Sequence, residues 1–352
     1  MRIAFIANPD LPGGWYRGIG PMVALAGRGH EIVQLWRSSD SGIRADLLGG
    51  CDLLHIHREH SEHVLTVVRS AKQLGMAVVY DNDDDMRAVP RNNVAHRQYG
   101  GFAGERVGRQ VRRLLQQADL AIAASEPIAA RFAEYGAAHV LQIENYVRDE
   151  VLETGAAPKR AGVVAGWLAG SEHHVDVERL PLREALGRAL DACPQLVVET
   201  IGVGLGLRHE RCRHVPHVDF VELPGVMGSW DVGLAPIADI PFNQARSNVK
   251  VKEYAALGRP WLASPIGPYA SLGEQQGGRL VTDDRWCEEL VRVVEKPRER
   301  RKLAKRARRW GREQAISANV GLWEEALTAA LARARRAAGS ARRSSPALAR
   351  PS

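Results

Sequence analysis

The residues best placed to do chemistry lie between Asp231 and Tyr269, in the stretch DVGLAPIADIPFNQARSNVKVKEYAALGRPWLASPIGPY. A short apolar run, Val232 to Ala235, is closed by Pro236, and a polar loop through Asn243 leads to Ser247 and Asn248, two good N-cap residues. A helix is predicted next, ended by Gly258 and Pro260, so the stretch reads strand, loop, helix, strand. With Ser247 or Asn248 as cap, the free N–H groups of the first turn and the helix dipole favour an anion such as a phosphate. Lys250 adds a full charge. Glu253, three residues on, shares its face and can accept hydrogen bonds from sugar hydroxyls. One such helix can grip both halves of a nucleotide sugar. The competing reading is an ordinary strand and helix whose Lys250 and Glu253 form a surface pair.

Elements to position that helix run through the whole chain. Apolar runs at 3–7, 30–35, 52–57, 77–80, 120–125 and 140–143 read as strands, separated by helical stretches near 20–26, 62–74, 105–117 and 127–135. From Arg148 to Arg160 periodicity fades among Gly155, Pro158 and alanines, as in a linker. A second series follows, with strands at 162–167, 196–201, 218–223 and 232–235, another around Leu280-Val281, and helices near 284–295 and 322–334. Alternating strands and helices on both sides of a linker predict an α/β protein of two domains, which 352 residues can supply with two cores. The glycines at 13, 14, 18 and 20 lack the GxGxxG spacing, so no nicotinamide cofactor is expected.

The run Asp81-Asn82-Asp83-Asp84-Asp85 follows the fourth strand, at the sheet edge where ligands bind in open α/β folds. Four neighbouring carboxylates repel, so the run is a solvated turn, a cation site or a place that uses an ionised acid. His55 and His57 share one face of their strand, but with His60 and His63 they lack the local carboxylates and spacing of a metal cluster. No metal site is expected. Cys51, Cys193, Cys212 and Cys287 are scattered without CxxC spacing, which points to inert thiols.

The segment APIADIPFNQARSNVKVKEYAALGRPWLASPIGPY resembles the donor-binding segment of GT-B glycosyltransferases of the family 4 type, where a lysine precedes a glutamate on the donor helix and ALG.P..AS..GPY follows. GWLAGSEHHVDVERL is similar to the family's GW.GS..H opening, which implies Gly170 and Ser171 beside the donor phosphates and His173 or His174 reaching donor or glycosyl acceptor. Gly202 and Gly204 stand where such enzymes carry a glycine turn, and Arg17 stands in their first loop, facing phosphate or glycosyl acceptor. The resemblance implies two Rossmann-like domains facing across a cleft. Their extents are 1–147 for the acceptor side, a linker at 148–160, 161–317 for the nucleotide-sugar donor, a returning helix at 318–337 and a disordered basic tail at 338–352. The implied reaction moves a sugar from a nucleotide-diphosphate sugar to a hydroxyl of a saccharide, lipid-linked glycan or small molecule. It retains configuration and needs neither metal nor cofactor, with Lys250 and Glu253 as catalytic candidates and Arg17 on the acceptor side. The sheet-edge position, rather than the resemblance, adds Asp83 and Asp84 to the catalytic candidates and Asp81 and Asp83 to the acceptor side. A solvated turn and a metal site like the DxD of GT-A glycosyltransferases compete for the acids. A departure stands at Ala245, eight before Glu253, where many family members carry a second glutamate. An epimerase or hydrolase of the same fold, or a non-catalytic nucleotide-sugar binder, is the alternative.

Charge is concentrated at the C-terminal end. Residues 296–352 hold 16 Lys and Arg against 4 Glu, a net +12 in a chain of +7, so the rest carries −5. Such a surface fits a peripheral contact with anionic membrane, or a solvated helix face. No aromatic pattern for nucleic acid accompanies it. No run approaches the roughly 18 apolar residues of a membrane span. MRIAFIANPD reads as strand and turn rather than as a signal peptide, so the expected location is cytoplasmic.

Overall fold

A computed structural model describes residues 1–36, 42–93, 95–155 and 160–344. The chain divides into two compact units: Met1–Asp83, Arg106–Ile143 and Val320 onward form the first, Asp84–Glu105 and Glu144–Asn319 the second. Each is built on a sheet of six parallel strands.

In the first unit the strands are β1 Arg2–Ile6, β2 Glu31–Gln34, β3 Leu53–His57, β4 Ala77–Asn82, β5 Leu120–Ala123 and β6 Val140–Gln142, in the order β2-β1-β3-β4-β5-β6. β3, β4 and β5 are buried along their full length, as parallel strands covered on both faces must be. The expected glycine loop after β1 is largely helical. Pro12–Gly14, a π-helical turn Trp15–Ile19 and the helix Gly20–Ala26 run on without a break. The chain turns into this helix so tightly after β1 that a Cβ on Gly14 would lie 1.9 Å from the Asn8 carbonyl oxygen, which is why glycine stands there.

The second unit contains β7 Val163–Ala169, β8 Leu196–Gly202, β9 Cys212–Val215, β10 Val232–Ala235, β11 Trp261–Ala263 and β12 Gly278–Leu280, in the order β12-β11-β10-β7-β8-β9. Ala165 and Trp167 of β7 face a core with Leu186, Leu190 and Trp286, whereas Val164 faces one with Trp230, Tyr254 and Trp261. No strand forms at 218–223. Leu223–Met227 is a helix with Pro224 in its first turn, and the strand there is the short, half-exposed edge β9.

Two further expectations change. Within the expected linker, Asp149–Glu153 is a helix with Val151 buried, and Val147 bridges in parallel to Ala315. The helix Ile316–Ser344 runs through the first part of the expected disordered tail, a stretch rich in Ala and Arg, both good helix formers. The linker residues 156–159 and the tail residues 345–352 lie outside the described residues. All four cysteines are free thiols, Cys51 and Cys193 buried.

Candidate functional site

In the second unit the chain leaves β7 toward β8 on one side and β10 toward β11 on the other, so a crevice opens at the carboxyl ends of β7 and β10. Asp176 joins the loops that follow these strands. Its Oδ2 accepts from His173 Nδ1 at 2.6 Å, and its Oδ1 from the Ala238 backbone N–H and Asn243 Nδ2, each at 2.8 Å. All three side chains, Asp176, His173 and Asn243, are fully buried.

The helix Val249–Ala256 packs against the same strand pair. Tyr254 donates to the Leu234 carbonyl at 3.0 Å and accepts from the Leu168 N–H at 3.2 Å, bridging β10 and β7. Its ring lies where a Cβ on Gly233 would be, 2.2 Å away, so the glycine lets the helix sit close. One turn earlier, Lys250 shares this face, and its ammonium donates to the Leu168 carbonyl. Burial lowers the Lys250 pKa most, Glu172 opposes and Arg246 reinforces the drop, and the group ends at about 8.

Around this lysine stand groups that spacing did not single out. Arg246 Nη2 donates to Glu172 Oε1 at 2.7 Å. Burial works against ionisation of Glu172, but Arg246 first, then His173 and Lys250, hold it well below the usual carboxylate range. Burial, then Lys250, push the His173 imidazole down to about 4, so it is neutral at pH 7. A carboxylate can only accept, so His173 Nδ1 carries the proton toward Asp176 and Nε2 faces Arg246 Nη1 at 3.5 Å with its lone pair. Burial also keeps the Tyr269 hydroxyl protonated beside Arg246.

At the start of the helix Asn248 holds the N-cap position, but its side chain makes no capping hydrogen bond and reaches Glu144 Oε2 at 3.2 Å instead. Ser247 accepts from Asn145 Nδ2 at 3.2 Å. Lys252 is bound to Glu144 Oε2 at 2.7 Å and the Asn145 carbonyl at 3.0 Å, so the neighbouring lysine is a packing element. Glu253 is buried beside Lys250 and not on a surface.

The first unit holds a second buried polar cluster at the carboxyl ends of β1, β3 and β4. Arg17 lies on the π-helical turn, a geometry often found at functional sites. It is fully buried; its Nε and Nη2 reach Asp81 Oδ1 at 2.8 and 2.7 Å, and Nη1 donates to the Ile143 carbonyl. His55 Nε2 meets Asp81 Oδ2 at 3.2 Å. Asp83 pairs with His57 Nε2 at 3.2 Å and Arg58 Nη2 at 2.8 Å. Burial opposes its charge, but Arg58 and then His57 hold Asp83 well below the usual value. Arg58 adopts φ 62°, a left-handed conformation costly for a side-chain residue, as it turns back toward this carboxylate. A Cβ on Gly13 would stand 3.0 Å from Asp83 Oδ2, so the glycine permits the close approach.

No protein-family model matches the chain, and no curated protein does either. Solved structures match nearly end to end. The complex of Anabaena Alr3699/HepE with UDP-glucose is similar with a TM-score of 0.63 at 14% identity, over 92% of this chain and 99% of that one. Sucrose-phosphate synthase from Thermosynechococcus elongatus gives 0.61 at 16% identity, over 94% and 100%. The fold is GT-B. A protein described as a UDP-N-acetylglucosamine 2-epimerase from Listeria monocytogenes also matches, with a TM-score of 0.53 at 10% identity, over 90% and 94%.

Within this GT-B chain the sequence candidates fall into groups. Lys250 and Glu253 lie on the helix at the β7–β10 crevice, with Gly170 and Ser171 at the end of β7. His174 is exposed, and its neighbour His173 is the histidine inside the cluster, because the tight turn Ser171–His173 repeats every three residues and puts Ser171 and His174 on the outer side. Asn243 is buried as a loop tie and not as an exposed contact. Gly202, at φ 94°, makes the turn after β8, where a Cβ would stand 2.1 Å from the Ala169 carbonyl oxygen, and Gly204 packs on His214. The acid run is parted: Asp81 belongs to β4, Asp83 ends the first segment of the first unit, and Asp84 begins a segment of the second unit, where its charge acts on Arg246. Asp81 and Asp83 are buried, ion-paired with Arg17 and Arg58 and hydrogen-bonded to His55 and His57, so they do not form a solvated turn. No group of three or more His, Cys, Asp or Glu side chains able to hold a metal occurs among the described residues.

Proposed function

We propose that this protein transfers a sugar from a nucleoside-diphosphate sugar, held by the second unit, to a hydroxyl of a saccharide, lipid-linked glycan or small molecule. The observation that carries this reading is the buried lysine at the β7–β10 crevice. Lys250 has a carbonyl as its hydrogen-bond partner and a pKa drawn down to about 8, with Arg246 acting on it. A lysine in such surroundings gains from an arriving anion, and two cations beside a helix N-terminus can stabilise the charge that develops on a departing diphosphate. Positioning and electrostatics of this kind need no metal ion. UDP and UDP-glucose are bound by the similar Alr3699/HepE, which favours a uridine nucleotide as the first ligand to try. In this reading Glu253 accepts hydrogen bonds from the sugar, and Asp83 with His57 is the group of the first unit that would orient the acceptor hydroxyl. Retention of configuration is the stereochemistry we infer, with Ala245 leaving the donor sugar one carboxylate fewer.

The Listeria likeness supports a second reading, in which the same grip serves epimerisation or hydrolysis of the nucleotide sugar. A product assay separates the two by a new glycosidic bond, an epimer or free sugar. The first test is calorimetric titration of UDP into wild type and Lys250→Met. Loss of a charge-assisted contact to phosphate is expected to weaken binding by about 1.5–3 kcal/mol. Chelator is expected to leave the wild-type affinity unchanged. Equal affinities in both proteins would put the phosphate elsewhere.

A further inference from the structure

We propose that Glu172 is an internal competitor for the anion subsite: in the free protein its carboxylate occupies the place a ligand phosphate takes between Arg246 and the turn at Gly170, and it swings out when the ligand enters. This rests on the reading of the second unit as a diphosphate site. Three observations carry it. The carboxylate already sits on the donors a phosphate would use, with Oε1 at 2.7 Å from Arg246 Nη2 and the charge of Lys250 acting on it. Oε2 is folded back over the strand end, 2.3 Å from where a Cβ on Gly170 would stand, so it fills the space beside the glycine that opens the turn Ser171–His173.

The third observation is the contrast with its neighbours. Asp176 has no exposed side-chain surface and three donors from two loops, whereas Glu172 keeps 28% of its side chain exposed. Glu172 therefore has a path to water and Asp176 has none. Two anions on one arginine repel each other, so ligand phosphate and Glu172 exclude one another from this spot. A carboxylate waiting at the site returns as a product diphosphate departs, which lowers product affinity and speeds release, a step that often limits turnover.

The test titrates inorganic pyrophosphate, UDP and uridine into wild type, Glu172→Gln, Glu172→Ala and Lys250→Met, each first compared by thermal melting. Glutamine keeps the shape and removes the charge; alanine separates that loss from the gain of an amide donor. Both Glu172 variants are expected to bind pyrophosphate and UDP about tenfold more tightly than wild type, with slower UDP dissociation in stopped flow and unchanged uridine affinity. If Lys250→Met loses affinity while both Glu172 variants bind equally or more weakly than wild type, Glu172 positions Arg246 and the competitor assignment is overturned. If Lys250→Met and wild type bind alike, or nothing binds, the diphosphate reading falls and this inference with it.

Discussion

Lys250 shows at the scale of one residue how a buried charge can work against its own fold. Its pKa is about 8 in the folded protein against an ordinary value of 10.5, mainly through burial. A depressed pKa means that the unfolded chain holds the proton more tightly. The group's favourable contribution is therefore present above pH 10.5 and lost as pH falls through 8. Lys250→Met is accordingly expected to be more stable than wild type at neutral pH, by up to roughly 3 kcal/mol, with the gap closing toward pH 10. Urea unfolding at pH 7 and pH 10 measures it, and a gap that is absent or grows with pH would show that the ammonium is well compensated. Lys250 was legible in the sequence because it stands on a recognisable helix after a strand and a loop. Glu172 and Arg246 were not, since their pairing joins residues 74 positions apart and depends on how two loops meet.

Among the elements, the loops after β7 and β10 depend on a single carboxylate. Removing Asp176 leaves the Ala238 N–H, Asn243 Nδ2 and His173 Nδ1 without their acceptor in a fully buried place. Asp176→Ala is expected to cost about 3–5 kcal/mol in denaturant unfolding and to weaken UDP binding as well. Asp176→Asn should cost less, because its amide oxygen can still accept. Loss of less than about 1 kcal/mol in the alanine variant, the range of one replaceable hydrogen bond, would mean that the loops hold without it. Strands such as β3 and β7 were readable because burial on both faces makes them short apolar runs bounded by turn residues. β9 was not, because only one side of an edge strand pairs and its Arg213 and His214 are exposed. The helical start at Pro12 was hidden by the glycines that allow it to press against Ala7 and Asn8, just after β1.

For the molecule as a whole, the uneven charge has a definite address. The helix Pro297–Glu313 turns Leu303, Ala307 and Gly311 inward and uses Arg300 to cap the Val293 and Val294 carbonyls and Arg306 to hold Glu274. Arg301, Lys302, Lys305, Arg308, Arg309 and Arg312 are exposed, and among the described residues no carboxylate pairs with them. Their spacing of three and four lines them along one side of the helix for about 17 Å. No helix among the described residues is long and apolar enough to cross a membrane, so any lipid contact of this stripe is with the surface. Binding to anionic vesicles is expected to decline as salt rises, and to weaken by about 1 kcal/mol for each of Arg301, Lys302, Lys305 and Arg309 changed to Gln. Cosedimentation with neutral and acidic vesicles decides it. Since these four side chains are exposed, whereas Lys250 is buried and held by the Leu168 carbonyl, UDP affinity should stay the same in the quadruple variant. Unchanged sedimentation with acidic vesicles would leave the stripe as a solvated helix face.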